Sequence, residues 1–122
     1  MKTAKTLGTI VLLFAMGTTQ ANAQQNSRDM EMKTYLIERE IPDAGKLTQE
    51  QLKGISQKSC SVLKEMDTGI EWLHSYVTDN KVYCVYKAEN KALIREHAEK
   101  GGFPVNSISE LSSKIGPDTA RR

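Results

Sequence analysis

The sequence predicts an α+β domain in which two helices cover one face of a four-stranded antiparallel sheet. Short segments rich in β-branched and aromatic residues supply four strands. Two further segments have apolar residues at helical spacing. The resulting order is β-α-β-β-α-β, and it fits within residues 33–119.

The first strand and the first helix occupy residues 33–66. Residues 33–40 are short and rich in β-formers, and the Pro- and Gly-containing segment 41–45 predicts a turn. The helix is predicted from Thr48 to about Met66, with Gln51 at the capping-box position. Its inward stripe is predicted to consist of Leu52, Ile55, Ser59, Val62, Leu63 and Met66.

A hairpin is predicted next, from strands at 70–77 and 81–88 joined by Asp79-Asn80. In this register His74 lies opposite Val85, and alternation separates the side chains onto two faces. One face is predicted to carry Leu73, Ser75, Val77, Val82, Cys84 and Tyr86. The other is predicted to carry Trp72, His74, Tyr76, Tyr83 and Val85.

The second helix is predicted at 91–100, with Asn90 as its cap and Gly101-Gly102 as its stop, and a last strand within 105–114. This order is that of the ferredoxin-like sandwich. Its two helices cover one sheet face only, and the aromatic face is predicted to stay open. Because an exposed aromatic face usually marks a partner, we expect a homodimer through Trp72, Tyr76 and Tyr83, with the sheets forming a dimeric α+β barrel.

A cleavable signal peptide is predicted at residues 1–23. Lys2 and Lys5 are followed by an apolar run at 7–16 and by Ala21-Asn22-Ala23, a small-x-small cleavage site. The run is too short to span a bilayer, which takes about 20 apolar residues. The protein is therefore expected to be periplasmic or secreted.

After cleavage, residues 24–32 are predicted to be a mobile leader, 33–119 a single domain and 120–122 a tail. Without Lys2 and Lys5 the chain has 15 basic and 15 acidic residues. This balance argues against nucleic-acid binding, which needs clustered positive charge. A second apolar run long enough for a membrane span is absent from the sequence.

The two cysteines, Cys60 and Cys84, would enter an oxidising compartment and are a possible disulfide. Their Cα atoms would have to approach within about 7 Å. The alternative is Cys84 as a small buried hydrophobe. A reactive thiol is disfavoured because the sequence places no base or cation beside it.

Five blocks of the sequence resemble one family of small bacterial proteins. They are YLIER at 35–39, WLHSYVTDNK at 72–81, YCVYKA at 83–88, IREHA at 94–98 and GFP at 102–104. The family is that of nickel-binding ferredoxin-like proteins, long catalogued as a domain of unknown function, and the resemblance covers about 33–119. It implies a homodimer that binds nickel ions for sequestration.

His74, Glu38 and His97 are the candidate metal ligands. Imidazole suits Ni²⁺, and carboxylates complete such shells. His74 lies on the predicted open face, with Glu38 as a neighbour on the first strand. His97 lies in the apolar stripe of the second helix, a position typical of a buried, hydrogen-bonded histidine. The two histidines are expected on opposite sides of the sheet, so any metal site needs carboxylates or a second chain.

The leading hypothesis is a non-enzymatic, exported, nickel-binding module, and no catalytic residue is predicted. The alternative is a small-ligand binder, or an oxygenase- or isomerase-like enzyme of the dimeric α+β-barrel class, that uses the open sheet face. A deep cavity between strands and helices, with a polar group inside, would favour this alternative. A flat, paired face would favour an interaction domain.

Overall fold

A computed structural model describes residues 32–122 of the chain. The predicted signal peptide and residues 24–31 of the predicted leader lie outside the described residues. Within the described part, no helix combines the length and the apolar character that crossing a bilayer requires.

Four strands and two helices follow one another in the predicted order. The strands are β1 (Lys33–Glu40), β2 (Ile70–Val77), β3 (Lys81–Ala88) and β4 (Ser107–Glu110), and the helices are α1 (Gln49–Met66) and α2 (Lys91–Gly101). The sheet order is β2-β3-β1-β4, and each neighbouring pair is antiparallel. The predicted ferredoxin-like α+β fold is confirmed. Short 3-10 turns lie at Ala44–Lys46 and Pro117–Arg121.

Both helices begin directly after the residues whose side chains were predicted to cap them. Thr48 Oγ1 accepts from the Gln51 N–H at 3.2 Å, and Gln51 Oε1 accepts from the Thr48 N–H at 2.9 Å, which completes a capping box. Asn90 Oδ1 accepts from the Leu93 N–H at 3.0 Å. Gly102 ends α2 at a φ of 72°, a left-handed conformation that glycine adopts at little cost.

The hairpin register is confirmed from His74 to Val77, and a bulge changes it before that. Leu73 has no partner on β3, and Trp72 pairs with Tyr86. Because one inserted residue reverses the alternation, Trp72 lies on the helix side, packed against the core, and its Nε1 donates to Ser75 Oγ at 2.9 Å. The placement of Trp72 on the open face is therefore wrong. The predicted placement of Leu73 on the face beneath the helices is also wrong, since Leu73 is 38% exposed.

The hydrophobic core lies between the helices and the side of the sheet that they cover. Alternate residues of β1, beginning with Tyr35 and Ile37, point into it, and Ile94 of α2 contacts them from above. Ile37, Ile94 and His97 have the largest side chains that are fully buried. The opposite face of the sheet has no helix on it among the described residues, as predicted.

The two cysteines are free, so the proposed disulfide between Cys60 and Cys84 is not formed. Cys84 is buried on the helix side of β3, whereas Cys60 is exposed on α1. Ser59, one position earlier on the helix, is the residue that points inward. One residue corresponds to about 100° around a helix, which turns the Cys60 thiol away from the sheet.

Candidate functional site: an open sheet face and a cavity beneath the helices

The sheet face without helices carries His74, Tyr76 and Tyr83, as predicted. His74 is exposed, and Tyr76 beside it is 61% exposed. The two rings meet edge to face with centroids 5.2 Å apart. The imidazole is therefore accessible to a ligand or to a second protein chain.

Glu38 shares this face with His74 but does not lie beside it. Glu38 pairs with Tyr83, and His74 pairs with Val85 on the far side of β3. The two residues are separated by two strand spacings across the sheet, roughly 10 Å, and by two residues along the strands, roughly 7 Å, so their Cα atoms lie about 12 Å apart. The Glu38 carboxylate also lies 3.5 Å from Lys81 Nζ. Residues 32–122 contain no group of three or more His, Cys, Asp or Glu side chains able to hold a metal ion.

His97 lies on the opposite side of the sheet and is fully buried. Its Nε2 is 3.2 Å from Ser59 Oγ, and its ring stacks on Phe103 with centroids 5.6 Å apart. Nδ1 has no hydrogen-bond partner within the described chain. The prediction of a buried, hydrogen-bonded histidine is confirmed, and the bond joins α2 to α1. His97 cannot meet His74 within one chain.

The stability of the protein is expected to fall as the pH drops below 6.5, because burial lowers the pKa of His97 and the positive charge of Arg39 lowers it further. Below pH 6.5 His97 binds a proton in the unfolded chain but stays neutral in the folded protein. The contribution of His97 to the free energy of unfolding is therefore complete above pH 6.5. It is lost as the pH falls towards the pKa of His97 in the folded protein. The expected slope approaches about 1.4 kcal/mol per pH unit.

Urea denaturation between pH 5 and 7.5 measures this slope. The variant His97→Gln keeps a polar group near Ser59 but does not titrate, so its slope is expected to be shallower. Equal slopes for the wild type and the variant would show that His97 is not the titrating group.

A cavity of about 210 Å³ lies between α1 and the helix side of the sheet. Its wall is mostly apolar and includes Leu47, just before α1, and Leu52 of α1 itself. Ile55 and Val77 also line it and are exposed, which places them at its mouth. The polar residues of the wall are Arg39, Ser56, Ser59, Ser75, Cys84 and Tyr86.

Arg39 is the unexpected residue of this cavity. It is only 3% exposed, although it carries a full positive charge. Its Nη1 donates to the Pro104 carbonyl at 2.7 Å, its Nε donates to Cys84 Sγ at 3.4 Å, and Cζ lies 5.4 Å from the centre of the Phe103 ring. Nη2 has no partner, and within residues 32–122 no carboxylate forms an ion pair with the guanidinium.

Arg39 also changes the environment that was predicted for Cys84. The sequence placed no cation near this thiol, whereas the structure places the guanidinium in contact with it. A signal for this position existed: Arg39 follows Tyr35 and Ile37 at the two-residue spacing of the buried face of β1.

The groups around Arg39 do not compensate its charge near neutral pH. Burial is the main cause that raises the pKa of Tyr86 above 10, so the phenol stays protonated, and its oxygen lies 3.5 Å from Ser59 Oγ. The pKa of His97 is lowered, which favours its neutral form. Arg39 is therefore the one residue of the wall that belongs to the Asp, Glu, Lys and Arg group, and no carboxylate lies in the wall to offset its charge.

Fold and site together define a small ferredoxin-like α+β domain that has a ligand-sized cavity beneath its helices and an accessible histidine on its bare sheet face. The chain belongs to the nickel responsive protein family, SCO4226-like, whose model matches residues 35–111. This match confirms the resemblance found in the sequence.

The crystal structure of SCO4226 from Streptomyces coelicolor A3(2) has a similar fold. The TM-score is 0.58 at 15% identity, over 67% of this chain and 99% of that chain. Among curated proteins, none is significantly similar.

Proposed function

We propose that this protein is an exported, non-enzymatic module that binds nickel ions at the bare sheet face and sequesters or buffers them. Membership of a nickel responsive family supports the choice of metal. The observation that carries the site is the exposed imidazole of His74 on the face that the helices leave open. Imidazole is a ligand well suited to Ni²⁺.

The proposed shell is completed by a second copy of the chain. Within residues 32–122 His74 belongs to no group of three or more candidate ligands, and Glu38 lies two strands away and is engaged by Lys81. A homodimer formed back to back across the two bare faces would bring a second His74, or a Glu38, towards the first. Half-buried Leu36 and Val85 and exposed Tyr76 give this face the apolar character that such a contact needs.

Export is the second part of the proposal. The apolar run at 7–16 and the Ala21-Asn22-Ala23 site support cleavage and release into the periplasm or the medium. Sequestration there fits a chain for which no catalytic residue was predicted. N-terminal sequencing of the protein recovered from its host tests this part, because a first residue of Gln24 is expected.

The metal site is tested by calorimetric titration of the purified, tag-free protein with Ni²⁺, and the oligomeric state is measured by light scattering. We expect binding by the wild type and a loss of affinity of at least about tenfold in His74→Ala, the lower end of what loss of a supporting metal contact costs. The matched variant His97→Gln removes the buried histidine instead and should bind as the wild type does.

Two results would contradict the proposal. One is the absence of heat at micromolar protein, and the other is unchanged binding after His74→Ala. If the wild-type protein binds Ni²⁺ while light scattering shows it to be strictly monomeric, nickel binding stands but a site shared between two chains is excluded.

A further inference from the structure

The cavity beneath α1 holds a charge that the rest of the described domain does not explain. Arg39 is buried with no acidic side chain beside it within residues 32–122, its Nη2 has no hydrogen-bond partner there, and its Nε donates to the Cys84 thiol. A buried charge without a partner is costly, and buried arginines are normally paired with acids. An anionic group bound in the cavity would supply the partner that this guanidinium does not find among residues 32–122.

The guanidinium can turn towards the cavity at small cost. Thiol sulfur is a weak hydrogen-bond acceptor, so the contact between Nε and Cys84 Sγ restrains the side chain only loosely. The stronger bond, from Nη1 to the Pro104 carbonyl, holds one edge of the group in place. The planar guanidinium matches a carboxylate through two parallel hydrogen bonds.

The size and the wall of the cavity set the rest of the ligand. An engineered apolar cavity of about 150 Å³ holds a benzene molecule. The cavity here, at about 210 Å³, is large enough for such a ring with a short acid side chain. Its mouth is apolar, since Ile55 and Val77 lie there, so a hydrophobic body is favoured over a sugar or a nucleotide.

We propose that the cavity between α1 and the sheet binds a small hydrophobic monocarboxylate whose acid group is held by Arg39. Ser59 and Tyr86 supply hydroxyl groups on the same wall, and the ring or branched chain contacts Leu52, Ile55 and Val82. This site lies on the side of the sheet opposite to His74. It is therefore independent of the proposed nickel site.

Phenylacetate and 2-phenylethanol are a suitable pair of probes, because they share a ring and differ in the acid group. Binding is followed by NMR on the purified protein, in buffer without metal, using the Arg39 Nε–H and the methyl groups of Leu52, Ile55 and Val82. We expect the acid to shift these resonances at millimolar concentration. The alcohol should bind at least about tenfold more weakly, since it lacks the charge-assisted bonds.

Two variants separate the charge from the cavity. Arg39→Met is expected to abolish the preference for the acid while the alcohol still binds, which also shows that the cavity persists. Ser56→Phe fills the cavity from α1 and should prevent binding of both probes. Its control, Ser61→Phe, makes the same change at an exposed position of α1 outside the cavity and should bind both.

Three results would overturn the proposal. They are the absence of shifts with phenylacetate, equal affinity for the acid and the alcohol in the wild type, and unchanged binding in Ser56→Phe. None of them bears on nickel binding through His74.

Discussion

Replacing Arg39 with methionine is expected to stabilise the folded protein by about 1–3 kcal/mol. A buried charge with no compensating acid is unfavourable, and hydrophobic replacements of buried ionic groups are often stabilising by amounts of this order. Methionine has similar length and adapts to irregular space. The lost bond to Pro104 leaves the carbonyl of an exposed residue, which water can reach.

The measurement is the free energy of unfolding in urea for the wild type, Arg39→Met and Arg95→Met. Arg95 is exposed on α2, so its substitution should change stability by no more than about 0.5 kcal/mol. A gain in stability together with loss of the acid preference would identify Arg39 as a residue kept for binding at a cost to folding. A loss of stability beyond that of Arg95→Met would instead make Arg39 a structural residue.

Gly101→Ala is expected to destabilise the protein by about 1–3 kcal/mol, the usual cost of overpacking. A Cβ atom at this position would lie 2.6 Å from Cδ2 of the Phe103 ring. Gly101 is buried at the end of α2, and Phe103 is held between it, His97 and Arg39. The ring would have to move, and its contacts with the imidazole and the guanidinium would loosen.

Gly54→Ala is the matched control, since it makes the same change within α1. No atom lies within 4 Å of a Cβ built there. Alanine is a better helix former than glycine by about 0.5–1 kcal/mol, so this variant should be more stable than the wild type. Urea denaturation of both variants checks the pair. Equal changes of the same sign would contradict the packing argument for Phe103.

Local sequence signals predicted most of the fold because each acts over a few residues. Thr48 with Gln51 marked the start of α1, and Asn90 marked the start of α2. Asp79-Asn80 set the hairpin turn, and with it the pairs from Val77–Val82 to His74–Val85. The bulge at Leu73 was missed because Trp72 and Leu73 are both large and apolar, so the sequence alone does not show which of them faces the core.

The candidate sites were less accessible to sequence reasoning, because they depend on contacts between distant segments. His74 was placed on the correct face by alternation alone. Whether Glu38 lies near His74 depends on the order of strands β2-β3-β1, which places β3 between the strands that carry them. The role of Glu38 as a metal ligand remains a prediction, and so does that of His97. The contact of Cys84 with Arg39 joins residues 45 positions apart.

By itself, the sequence determined the elements, their caps, the hairpin register beyond the bulge and the membership of a family. Those features depend on hydrogen bonds and on the spacing of apolar residues within one or two helical turns or a few neighbouring strand pairs. The tertiary structure alone decided that Trp72 faces the core, that the cysteines stay apart and that an arginine without an acid lines a cavity. Such features arise only when β1, β3, α1 and the segment after α2 pack together, since burial and charge compensation belong to the assembled domain and not to any one segment.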